Sequence, residues 1–81
     1  MGRWPELIVH LKRQRVERGM TQEELAERVG VTRQTILSIE RGRYSPSIEL
    51  ALRLARLFSV PVESLFELDE PARPRKDSRR D

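Results

Sequence analysis

Two helix-start signals lie so close together in this chain that they dictate how the helices they open must meet. Thr21-Gln22-Glu23-Glu24 is a capping box, and Met20 with Leu25 forms the hydrophobic staple around it. Thr32 opens a second helix, with Val31 and Ile36 repeating the staple. Only Val29-Gly30-Val31 is left for the turn between them. Helices joined by so short a connection cross steeply and approach closely. Gly30 supplies the left-handed residue that such a turn needs. Ala26 is small enough to permit the approach, and Ile36 and Ile39 seal the far side.

The remainder of the chain reads as helix around this corner. A first helix is expected from Pro5 or Glu6 to Arg18, ending at Gly19. The helix opened by Thr32 should end near Arg41-Gly42. A fourth follows Ser45-Pro46-Ser47 and runs to Phe58. Either serine can cap it, and Pro46 at the first helical position favours Ser45. Its polar residues Glu49, Arg53 and Arg56 form one stripe on an otherwise apolar helix, which marks it as central. A short fifth helix is expected over about Pro61 to Phe66. No alternating or β-branched run flanked by hairpin signals is visible, so the fold class is all-α, a five-helix domain over residues 5–68. The last residues, 69–81, carry two prolines and many charges, and are expected to be a disordered tail.

Composition excludes several classes. The 81 residues suit one domain, and the absence of cysteine rules out disulfides and thiolate metal sites. A lone histidine, His10, rules out any site needing two, and no acidic or serine partner lies within its sequence reach. No apolar run approaches the ~18 residues of a membrane span. The N-terminus lacks a signal-peptide pattern, so a cytoplasmic protein is expected. No sensor domain is expected. The net charge of +3 resides entirely in residues 1–66, since residues 67–81 hold five charges of each sign. No phosphate loop, metal cluster or nucleophile with its base is present, so neither an enzyme nor a cofactor is expected. Trp4 is expected to pack over the start of the first helix.

The spacing Gln22, Ala26, Gly30, Ile36, Ile39 is that of a helix-turn-helix. The segment TQEELAERVGVTRQTILSIERGRYSPSIELALRLARLF resembles the helix-turn-helix domain of the Cro and lambda-repressor-like (Xre) transcription regulators. The resemblance rests on L-x-x-x-R at Leu11–Arg15, T-Q-x-x-L-A at Thr21–Ala26, Gly30-Val31, I-x-x-I-E-x-G at Ile36–Gly42, and P-S-x-x-x-A-x-x-x-A at Pro46–Ala55. It implies a lambda-repressor-like fold and a homodimer that reads a palindromic double-stranded DNA operator with the helix matching Thr32–Gly42. Two positions depart from the family pattern. Ser59 stands where a glycine usually ends the fourth helix, and Pro61 where a capping Ser or Thr usually opens the fifth.

The residues themselves assign roles on such a surface. Arg33 and Gln34 at the start of the recognition helix suit base edges, Arg for guanine and Gln for adenine, with Ser38 further along the same face. Thr32, Thr35, Arg41, Arg43 and Tyr44 suit phosphates. Gln22 is expected at a phosphate through its side chain or through the amides of its helix end, as its family counterpart is. Gln34 has an alternative as a strut bonded to Gln22. Arg15 and Glu40 both fall on apolar helix rows, where a lone charge is costly, so they are expected to meet as a structural ion pair. The expected function is sequence-specific DNA binding and repressor-like regulation of transcription at the nucleoid. The alternative is an antitoxin-like or accessory regulator acting through a protein partner on the tail. The homodimer contact is expected near the fifth helix, where Leu65, Phe66 and Leu68 are apolar.

Overall fold

The computed structural model describes residues 6–69. Its elements are β1 (Glu6–Val9), α1 (Leu11–Glu17), α2 (Gln22–Val29), α3 (Arg33–Glu40), α4 (Ile48–Phe58), a single 3-10 turn (Val62–Ser64) and β2 (Phe66–Asp69). The fold is therefore mostly helical, with four α-helices and a two-stranded sheet, and not the five-helix, all-α domain expected. Trp4, Pro5 and tail residues 70–81 lie outside the described residues.

The capping signals act where the sequence places them. Thr21 Oγ1 accepts from the Glu24 amide at 3.0 Å, and Glu24 Oε1 accepts from the Thr21 amide at 2.8 Å, closing the box that starts α2. Thr32 Oγ1 accepts from the Thr35 amide at 3.2 Å to start α3. Gly30 ends α2 at φ 80°, and Arg53 of α4 donates from Nη1 to Val29 O at 3.0 Å, covering an otherwise orphaned carbonyl. The cap of α4 is Ser47, whose Oγ accepts from the Leu50 amide at 3.1 Å. Ser45 is not the cap: Pro46 stands two positions before the first helical residue, Ile48, and not at it, so the cap position falls on Ser47.

Both ends differ from the helical reading for one reason. Glu6–Val9 pairs antiparallel with Phe66–Asp69, in the register Glu6↔Asp69, Leu7↔Leu68, Ile8↔Glu67 and Val9↔Phe66. This pairing joins segments some sixty residues apart, which local periodicity does not register. It takes the start of the expected first helix and the end of the expected fifth. After Pro61, which contributes no side-chain cap, one 3-10 turn forms before the chain peels away into β2. Asp69, assigned to the tail, is the last residue of that strand. His10 sits between β1 and α1. Its amide donates to Leu65 O at 2.8 Å, and its Nε2 lies 2.6 Å from Glu67 Oε1. The partner that His10 lacks locally comes from 57 positions away.

Leu11, Leu25, Ile36, Ile39, Leu54 and Leu65 are fully buried, and Val9 and Phe66 lay one face of the ribbon on this core. Ser59 ends α4 in the left-handed conformation, at φ 57° and ψ 43°. The Val60 amide bonds Ala55 O at 3.0 Å, so a serine closes a turn that glycine would enter without a steric penalty. Arg18 secures the same end. Its Nη2 donates to Phe58 O at 3.1 Å, and its guanidinium stands 4.6 Å from the centre of the Phe58 ring. Replacing Ser59 with glycine should relieve the strained backbone and raise stability by up to about 1 kcal/mol. Urea unfolding of Ser59→Gly and Ser59→Val checks this, with the valine variant expected to fall below the unsubstituted protein.

Candidate nucleic-acid interface

α3 has two unlike faces. Ile36 and Ile39 are fully buried, whereas Arg33 and Gln34 are exposed and Thr35, Leu37 and Ser38 are half-buried. Arg41 caps the helix, Gly42 turns the chain at φ 73°, and the Arg43 amide then bonds back to Ser38 O at 2.9 Å. That bond folds the following loop against the helix. Thr32, Gln34, Thr35, Ser38, Arg43 and Tyr44 consequently line one shallow surface depression. Arg33 lines a neighbouring one with Thr21, Glu23, Glu27 and Val31. Arg41 is exposed and lines neither depression. Arg33, Arg41 and Arg43 form no ion pair among the described residues. Their guanidiniums, the threonine and serine hydroxyls and the Gln34 amide give this face many donors.

The other edge of α3 is fixed by charge. Arg15 of α1 donates from Nε to Glu40 Oε2 at 2.6 Å and from Nη2 to Glu40 Oε1 at 3.2 Å. The two side chains are only 10% and 4% exposed. Arg15 Nη1 also donates to Met20 O at 2.8 Å, just ahead of the α2 cap. Gln22 completes the group, donating from Nε2 to Glu40 Oε1 at 3.0 Å. One carboxylate therefore joins α1, the first residue of α2 and the last residue of α3.

Sequence reasoning paired Arg15 with Glu40 and did not find the Gln22 bond. The available signal was that a bidentate guanidinium leaves a carboxylate with spare lone pairs, and a buried carboxylate needs them filled. The bond also fixes the Gln22 amide. A carboxylate facing a guanidinium only accepts, so the amide nitrogen must point inward and the oxygen away. The side chain thus faces Glu40 and is no strut to Gln34. The backbone amides of Gln22 and Glu23 at the start of α2 have no acceptor among the described residues, whereas those of Glu24 and Leu25 are taken by Thr21. Among the described residues no group of three or more potential ligands could hold a metal ion, and no helix is long and apolar enough to cross a membrane.

A tight two-helix corner, with the second helix locked on one edge and donor-rich on the other, defines a helix-turn-helix domain. Residues 11–65 match the helix-turn-helix family, and the chain belongs to it, in its Cro and lambda-repressor-like (Xre) branch. An uncharacterised HTH-type transcriptional regulator of Methanothermobacter thermautotrophicus is 61% identical over 61 residues, covering 74% of this chain and 88% of the relative. The cryptic phage CTXphi transcriptional repressor RstR of Vibrio cholerae is 43% identical over 56 residues, covering 69% of this chain and 50% of that protein. Among solved structures, the restriction-modification controller protein C.AhdI of Aeromonas hydrophila superposes with a TM-score of 0.63 at 29% identity, covering 68% of this chain and 80% of its own.

Removing one member of the buried pair leaves the other charge without compensation. Glu40→Ala should cost on the order of 3 kcal/mol of stability. A double-mutant cycle with Arg15→Met, followed by urea unfolding, should return a coupling energy well above the ~0.5 kcal/mol expected of independent sites.

Proposed function

We propose that this chain binds duplex DNA in a sequence-specific way, with α3 in the major groove, and regulates transcription as a repressor-like homodimer. The observation that carries the reading is the composition of the exposed α3 face. Donors from the helix and from the loop after it converge on one depression, while the opposite face is held in the core by Ile36, Ile39 and Glu40. Relatives named as HTH-type transcriptional regulators, one of them a repressor, support the same reading.

The roles divide by reach. Arg33, Gln34 and Ser38 face base edges, with Arg33 suited to guanine O6 and N7 and Gln34 to adenine N6 and N7. Thr32, Thr35, Arg41, Arg43 and Tyr44 hold phosphates on either side. At the start of α2 the phosphate falls to the open backbone amides of Gln22 and Glu23, because the Gln22 side chain is engaged with Glu40. A homodimer on a palindromic operator would place two recognition helices about one DNA turn, roughly 34 Å, apart. The work of such a protein lies in the cytoplasm, at the nucleoid, and needs no cofactor and no catalysis.

Reading and positioning have different signatures. On an operator obtained by in vitro selection, Arg33→Ala should lose about 1–3 kcal/mol and much less on scrambled duplex, so specificity relaxes. Arg43→Ala should weaken both duplexes equally and lower the salt slope by about 1 per half-site contact. Titrations at several salt concentrations separate the two. Equal losses on both duplexes for Arg33→Ala would mean that α3 sits in the groove with a different rotation.

A further inference from the structure

The exposed side of α4 carries an apolar pair without a cover. Ile48 is 80% exposed and Leu52 56%, one helical turn apart. Leu7 and Leu68, the cross-strand pair of the ribbon, are also exposed, at 39% and 53%, but no charged pair comparable to Glu49 and Arg56 stands beside them among the described residues. Leu65, an apolar residue the sequence offered for a dimer contact, is fully buried in its own core and is not available. On α4, Glu49, Leu52, Arg53 and Arg56 line a shallow depression beside the apolar pair. Glu49 bonds Arg53 in the same helix at 2.6 Å, and Arg56 has no ion-pair partner among the described residues.

This patch is complementary to itself. When two copies of α4 are laid antiparallel about a twofold axis at Leu52, position 52+k of one faces position 52−k of the other. Leu52 then meets Leu52, and Ile48 lies opposite the second copy's Arg56, whose aliphatic stem covers it. Arg56 falls within one residue step of the second copy's Glu49, on the same side of the helix pair, and the symmetry makes that pairing twice. A contact in which the same patch serves both partners is what a closed twofold dimer requires.

We propose that the outer face of α4 is the surface on which a second copy of this chain docks, with Leu52 at the axis and Glu49–Arg56 ion pairs on its rim. This rests on the homodimer reading above and supplies the surface for it. The patch uses none of the residues assigned to DNA, so pairing leaves the α3 face open. Two apolar side chains and two rim pairs make a small contact, so association depends on concentration. The rim charges select the antiparallel arrangement.

Sedimentation equilibrium of the full chain without DNA, at tens of micromolar, tests it. The unsubstituted chain should show a monomer–dimer equilibrium. Leu52→Asp should be monomeric with unchanged helical content. Glu49→Arg and Arg56→Glu should each weaken self-association by about tenfold, because like charges then meet across the axis. Mixed one to one, these two single variants should associate as well as the unsubstituted chain, because opposite charges are restored in the heterodimer alone. A dimer that survives Leu52→Asp, or single variants that do not recover on mixing, would overturn this surface while leaving the homodimer reading intact. A chain that stays monomeric throughout would overturn both.

Discussion

The structure hangs on the carboxylate of Glu40. It accepts from both nitrogens of one edge of the Arg15 guanidinium and from the Gln22 amide, at 2.6, 3.2 and 3.0 Å, in a site where its side chain is 4% exposed. By area alone the apolar core does more for stability, since burying a side chain such as Ile36 or Leu25 contributes roughly 1.5–3 kcal/mol. A buried ion pair contributes little net free energy, because desolvation opposes the Coulomb gain. What the pair supplies is geometry. Hydrophobic contacts tolerate sliding and rotation, whereas a two-pronged guanidinium–carboxylate contact does not.

That distinction matters because α3 is short. Its eight residues offer only Ile36 and Ile39 as fully buried anchors, about one turn apart on a single face. Glu40 adds a third fixed point at the C-terminal end, and the Thr32 cap a fourth at the start. The same carboxylate holds Gln22, the first residue of α2, so the two helices are tied at the ends farthest from their turn. At the turn itself, Gly30 provides the left-handed residue and Arg53 covers the last α2 carbonyl. The corner is closed on both sides by polar bonds, and its interior is filled by Leu25, Ala26, Ile36 and Ile39.

The corner was also the part most legible in the sequence. Thr21, Glu24, Gly30 and Thr32 act through bonds to residues within four positions, and local chemistry of this kind is written in local sequence. The Arg15–Glu40 contact spans 25 positions yet was visible, because two charges on apolar rows pose a problem that each solves for the other. The ribbon was not visible. Glu6–Val9 and Phe66–Asp69 are too short to declare themselves, and their pairing depends on the four helices first bringing the two ends together. Of the two serines offered as the cap of α4, the one not favoured, Ser47, takes the position, because Pro46 suits more than one place near a helix start. In the surface assigned to DNA, residue types were readable. The shared depression was not, since it arises from the Arg43–Ser38 backbone bond that Gly42 makes possible.

These features connect stability to recognition through rotation. Neighbouring residues on a helix are separated by about 100° around its axis, so a turn of α3 by even a fraction of that angle would carry Arg33 and Gln34 away from one base edge and toward another. The apolar face resists tilting but offers a smooth surface against such a turn. Glu40 lies one residue past Ile39, at the edge of the buried face, where a fixed contact has the greatest leverage on rotation. Placing a charged pair there, in a domain too small to spare much core, makes physical sense if the quantity being fixed is the direction in which Arg33 and Gln34 point.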